Sequence, residues 1–233
     1  MIICIETATD LCSVALCSSA GVISLKESSE PRSHASVLTI LIDGILKEKT
    51  IRPDELEAIA VSKGPGSYTG LRIGVSVAKG IAYGASIPLI GIETTLAMFH
   101  GISEYYNINE TDENTMFCPM LDARRMEVYY ALYDVKGTKV KDIAAEIITE
   151  ESFPDIPQSV KLVFFGEGAA KCKEMIRHKN VQFVDDFQMS ASHMHKPAIE
   201  ALKSNRFENI AYFEPFYLKD FITSRPRKNI LGL

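Results

Sequence analysis

The sequence predicts an α/β chain of two similar lobes, each a mixed sheet with helices on its faces. Three observations predict it. Residues 1–6 (MIICIE) and 116–122 (MFCPMLD) are both apolar runs ending on a carboxylate, and each is followed by two further strand-like runs. In the first half a glycine-rich loop and a helix then separate two apolar runs, the pattern of a parallel crossover. Residues 107–115 (NINETDENT) are polar, acidic and turn-rich, and they divide a lobe of residues 1–106 from one of residues 107–233.

Taken in order, residues 1–6 form a strand, 12–17 alternate as a second and 22–27 as a third, with turns at 7–10 and 19–21. Pro31 and Ser33 precede a helix over 34–49, whose core stripe is Leu38, Leu41, Ile42 and Ile45. Its other side carries Val37, Ile40 and Gly44, so it is apolar over more than one face. Pro53 opens a helical turn, 59–62 is a strand, and 68–84 is a helix capped by Ser67. A strand from Pro88 leads into a helix ending near Glu104. This order puts an antiparallel hairpin edge on an otherwise parallel sheet. The second half repeats the plan: strands at 116–122, 128–134 and up to Thr149, a strand at 161–165, a helix over 166–178, a strand at 181–184 and a helix over 190–205. The chain ends in an aromatic and basic tail with Lys219, Arg225, Arg227 and Lys228.

The stretch 59–95 organises the first lobe. Gly64 and Gly66 flank Pro65 and let the backbone leave the strand sharply, but no Gly-Lys-Ser/Thr follows, and Gly64, Gly66 and Gly70 miss the dinucleotide spacing by one residue. In the helix, Gly70, Gly74, Ala78 and Ala82 recur every fourth residue, as do Ser76, Gly80 and Gly84. Interior glycines cost roughly 1 kcal/mol each against alanine. Two explanations are open: close packing on the helix's own sheet, or a small-residue face that meets a helix of another chain. The expectation taken forward is the second, with Gly70, Ile73, Gly74, Val77 and Ala78 facing a partner together with Val37, Ile40 and Gly44. On that expectation Gly74→Leu blocks association and leaves the fold intact, and two copies of the free chain pair about a two-fold axis.

Composition narrows the function classes. At 233 residues, 46% hydrophobic and 24% charged, the chain has the make-up of a soluble globular protein. A net charge of −5 argues against nucleic-acid binding by the chain alone. Five scattered cysteines without a CxxC pair read as buried thiols of a reducing compartment, and early acids (Glu6, Asp10) argue against a leader, so a cytoplasmic protein without a membrane span is expected.

IETATDLCSVAL, GPGSYTGLRIG with AKG after it, DARRMEVYYALY and EPFYL occur together and in this order over residues 5–218. In that combination the chain resembles the TsaB (YeaZ) family, bacterial partners of TsaD in making threonylcarbamoyladenosine on tRNA. The resemblance implies the duplicated actin/hexokinase/Hsp70-like (ASKHA) fold. It implies a non-catalytic subunit with no cofactor, which binds a TsaD-like protein through its first and glycine-rich helices, works with a TsaE-like ATPase and meets tRNA only through the complex. The ATP-binding members of that superfamily hold phosphates on an Asp-x-Gly turn; here the turn reads Glu6-Thr7-Ala8-Thr9-Asp10, without the glycine.

Two other readings are weighed against this one. A small-molecule kinase would use Glu6 and Asp122 as a carboxylate pair, but both phosphate glycines are missing. A peptidase would need a nucleophile or zinc arrangement that is not legible. His34, His100 and His178 are single, and His193 and His195 fall on different sides of a helix and read as solvent-exposed. Glu6, Thr9, Gly64, Gly66 and Arg72 are candidates for anion or turn contacts. For Glu6 a cap on its own turn, and for Asp122 a salt bridge or turn contact, are the plainer roles.

Overall fold

The computed structural model describes residues 1–106 and 114–218; the polar stretch 107–113 and the basic residues Lys219, Arg225, Arg227 and Lys228 lie outside them. Strands β1 (Ile2–Glu6), β2 (Cys12–Ser18) and β3 (Gly21–Ser28) form an antiparallel meander. Helix α1 (His34–Lys49) leads to β4 (Ala58–Gly64), and α2 (Tyr68–Ala85) crosses over to β5 (Leu89–Glu93). The sheet order is β3-β2-β1-β4-β5, with β4 parallel to both β1 and β5, which is the hairpin-edged parallel sheet expected.

Side-chain alternation along β1 sets the layers. Ile3 and Ile5 meet Leu38, Ile42 and Ile45 of α1 and Val75, Ala78 and Ala82 of α2. Ile2 and Cys4 face the opposite side, where Ala97, Phe99 and Ile102 of α3 (Thr94–Tyr106) cover them.

The second sheet comprises β6 (Thr115–Asp122), β7 (Glu127–Tyr133), β8 (Lys139–Ile147), β9 (Lys161–Phe165) and β10 (Val181–Val184). Its order, β10-β9-β6-β7-β8, is that of the first sheet counted from the other edge, with the same parallel and antiparallel pairings. Phe117, Leu121, Tyr133 and Phe165 share the central core with α3, so α3 lies between the two sheets. The outer face packs Tyr130, Leu162 and Phe164 beneath α4 (Glu167–Cys172).

The helices of the second half depart from expectation. Nothing equivalent to α1 joins β8 to β9; residues 148–160, with Pro154 and Pro157, form turns and loop. The helix expected over 166–178 stops at Cys172, and His178 is tied instead to the Pro157 carbonyl (3.2 Å) and to the Asn180 N–H (3.3 Å). The one expected over 190–205 begins as a single 3₁₀ turn (Ala191–Met194) before α5 (His195–Lys203). Pro197 cannot bond a carbonyl four residues back, so it sits in the first turn of α5.

The chain returns to the first sheet after residue 190. Ala191, Met194, Ala198 and Ala201 join Ile2 and Cys4 in the central core. The Glu208 N–H bonds the Leu89 carbonyl (2.8 Å) and the Phe216 N–H bonds the Lys63 carbonyl (2.6 Å). A division of the sequence at residue 106 is therefore not a division in space. All five cysteines are buried and free, and no helix among the described residues is long and apolar enough to cross a membrane.

Candidate functional site

β1 ends on Glu6, which is fully buried. One of its carboxylate oxygens accepts from the Ala8 N–H, and the other accepts from the Ser62 hydroxyl of β4. Glu6 thus caps its own turn, the plainer of the two roles open to it. The turn is closed from the other side by the glycine loop. A Cβ on Gly66 would lie 2.5 Å from the Ala8 carbonyl oxygen, and the Ser67 N–H donates to that oxygen at 2.7 Å. Ala8 and the glycine loop are therefore in direct contact, and the turn lacks a glycine through which its backbone could approach a phosphate closely. The Thr9 carbonyl is bonded to His34 Nε2 (3.0 Å), while the hydroxyls of Thr7 and Thr9 are buried without a hydrogen-bond partner among the described residues.

Burial pushes the Glu6 carboxyl up to about 7, against the lowering effect of its bonds from Ser62 and Ala8, and the nearby Glu167 pushes the same way. Burial, then Asp10, raises Glu167 as well, and burial with the adjacent Glu6 raises the Cys12 thiol to about 11. Between the ordinary carboxylate value and about 7 the unfolded chain has lost this proton while the folded chain keeps it, so stability falls as pH rises through that window and is flat above it. Glu6→Gln, which keeps the shape without the charge, is expected to be more stable than the parent by on the order of 2–3 kcal/mol at pH 8 and equal to it near pH 4.5. Urea unfolding of both proteins at the two pH values checks this; parallel profiles would contradict it.

The glycine helix α2 begins as expected, with the Ser67 hydroxyl accepting from the Gly70 N–H at 3.3 Å. Its faces are the reverse of the expectation. Gly70, Gly74 and Ala78 are buried rather than presented to a partner. A Cβ on Gly70 would meet the Thr7 carbonyl oxygen at 2.0 Å, and one on Gly74 would meet Thr7 Oγ1 at 2.2 Å. Of the two explanations left open for this stripe, close packing inside the chain is the one found. The outward face carries the second stripe: Ser76, Gly80 and Gly84 are exposed, and a Cβ on Gly80 or Gly84 would meet nothing within 4 Å. Ile73 and Val77 flank it half-buried, and Tyr83 stands 80% exposed. On α1, Ile40 is 66% exposed, but Gly44 lies under the Lys26 side chain of β3, and Val37 is half-buried against the core.

The remaining candidates fall into structural roles. Gly64 has a positive φ of 112°, and a Cβ there would meet the Phe216 carbonyl oxygen at 2.8 Å; the segment 213–218 lies across the loop. Arg72 stacks on Tyr68, 4.3 Å from its ring centre, and its Nε donates to the Tyr217 hydroxyl at 3.1 Å. It binds the chain's own C-terminal segment. Asp122 is paired with Lys171 and accepts from the Arg124 N–H, and so makes the salt bridge and turn contact. His193 and His195 are half-buried, not solvent-exposed: the His193 ring stacks on Phe187, and His195 Nε2 bonds the Ser18 carbonyl at 2.8 Å. Among the described residues no group of three or more His, Cys, Asp or Glu is placed to hold a metal ion.

Ser62 and Glu167 beside Glu6, and Tyr68 and Tyr217 around Arg72, were not identified from the sequence. Ser62 and Glu167 lie 56 and 161 positions from Glu6, and only the sheet order brings them close.

Residues 26–223 match the family model described as "TsaD: tRNA N6-adenosine threonylcarbamoyltransferase". The tRNA threonylcarbamoyladenosine biosynthesis protein TsaB of Escherichia coli (strain K12) is 36% identical over 132 residues, 57% of this chain and 54% of that protein. The protein of the same name from Haemophilus influenzae is 28% identical over 234 residues, 95% of this chain and 94% of its own. Among solved structures, YeaZ from Pseudomonas aeruginosa superposes with a TM-score of 0.81 at 21% identity, covering 93% of this chain and 99% of that one. The activator of the 2-hydroxyisocaproyl-CoA dehydratase from Clostridium difficile, solved with ADPNP, shares the fold more distantly, with a TM-score of 0.50 at 7% identity over 88% and 96% of the two chains. The two-lobe actin-like fold expected from the sequence is borne out by these likenesses and by the paired sheets.

Proposed function

This chain belongs to the TsaD family, in its TsaB (YeaZ) branch, and on that premise we propose that it is a non-catalytic, activating subunit of threonylcarbamoyladenosine synthesis on tRNA. The observation that carries the non-catalytic reading is the closed turn at Thr7-Ala8-Thr9, where Ala8 packs on Gly66 and no glycine opens the turn to a phosphate. Its partner in this reading is a TsaD-type transferase, bound through the outward face of α2 (Ile73, Ser76, Val77, Gly80, Tyr83, Gly84) with Ile40 of α1. Because this chain itself matches the transferase family, an equivalent helix face on the partner gives a pseudo-two-fold contact, and the same face pairs two copies of the free chain. A TsaE-like ATPase completes the assembly, tRNA is engaged only through it, and the protein works in the cytoplasm as two lobes, the first of them completed by the chain after residue 190.

Calorimetric titration with ATP of the chain alone should give no measurable heat of binding, and the chain should form no threonylcarbamoyladenosine until the transferase is added. Tight ATP binding by the isolated chain would revive the small-molecule kinase reading and overturn this one.

A further inference from the structure

A cleft of about 750 Å³ opens between the two lobes on the side of the C-terminal segment. The first lobe contributes Lys63 and Glu93, from the ends of β4 and β5, and the second contributes Lys139 and Asp142 of β8. Residues 208–217 form the third wall with Glu208, Glu214, Tyr212 and Phe216.

Both lysines are already held by carboxylates. Lys139 lies 2.7 Å from Glu93 and 3.8 Å from Asp142, and Lys63 lies 3.8 Å from Glu208. Four carboxylates against two ammonium groups leave the lining at a net charge of −2. That charge repels phosphates and favours cations. The Asp142 side chain is 97% exposed. Tyr212 and Phe216 are 84% and 42% exposed, and large aromatic side chains left open at a cleft offer ring faces to a cation. Arg72, the cation next to Glu214, is engaged by the Tyr217 hydroxyl and the Tyr68 ring.

We propose that this cleft binds a lysine- or arginine-bearing segment of a partner protein, whose cationic heads meet Asp142 and Glu214 and stack on Tyr212 and Phe216. The site is separate from the partner face of α1 and α2. The chemistry is carboxylate pairing plus cation–π contact, with Arg favoured over Lys because its planar head does both at once.

The test is titration of the full chain with a tetra-arginine peptide at physiological salt. Binding is expected, with tetraglutamate and inorganic tripolyphosphate showing none. Asp142→Asn/Glu214→Gln should weaken it about tenfold, and Tyr212→Ala should weaken it several-fold. Glu174→Gln/Asp186→Asn removes the same charge from exposed positions near β10, at the opposite edge of the sheet from β8, and should leave binding unchanged. Equal losses in the two double variants would show that the peptide follows net charge alone and would overturn the site. The chain carries its own basic end, so Arg225→Gln/Arg227→Gln/Lys228→Gln is the third arm. Unchanged peptide affinity supports a partner's segment; a several-fold gain assigns the cleft to the chain's own end and overturns the partner assignment.

Discussion

Gly74→Leu is expected to cost the fold about 3 kcal/mol or more, instead of leaving it intact. The first carbon of the new side chain lands 2.2 Å from Thr7 Oγ1, so Thr7 has to move. It has little room to do so. Its carbonyl is pressed on Gly70, Ala8 is pressed on Gly66, and Glu6 on its other side is buried and bonded to Ser62. The displacement therefore spreads into β1, the central strand of the sheet. Gly80→Ala is the contrasting change on the same helix. Its Cβ meets open space, and the gain in helix propensity should stabilise the chain by roughly 0.5–1 kcal/mol. Urea midpoints of the two variants separate the faces: a parental midpoint for Gly74→Leu would mean that the contact with Thr7 is not tight.

That contrast also marks what the sequence could and could not say. The four-residue spacing of Gly70, Gly74, Ala78 and Ala82 identified a small-residue stripe, and so did Ser76, Gly80 and Gly84. Periodicity alone cannot tell which stripe turns inward, because both are small and neither carries a charge. The deciding contact is the Thr7 turn, about 65 positions away along the chain. The strands were legible because their apolar alternation is local: β1, β2, β4 and β9 lie within a residue or two of their expected bounds. The helices of the second half were not, since the chain after Cys172 is held by His178 to a loop carbonyl that no helical pattern announces. Arg72 read as a candidate anion contact because its partner, Tyr217, lies 145 positions away.

The proposed subunit role implies one large effect on association. Ile40→Asp places a carboxylate on an apolar, 66% exposed position, and Gly80→Arg puts a long charged side chain onto the small-residue stripe of α2. Neither position is in the core, so neither variant should lose more than about 0.5 kcal/mol of stability, and Gly80→Arg should share the helix-propensity gain of Gly80→Ala. At a helix-to-helix contact that depends on close approach, each should weaken binding to the TsaD-type transferase at least about a hundredfold, roughly 3 kcal/mol, as an unpaired charge is buried against an apolar partner. Threonylcarbamoyladenosine formation that depends on the subunit should fall with it.

The most direct measurement is a calorimetric titration of the folded Gly80→Arg chain into the TsaD-type transferase beside the parent. Loss of binding at concentrations that saturate the parent is the predicted result; an unchanged affinity would contradict the assignment of the α2 face to the partner.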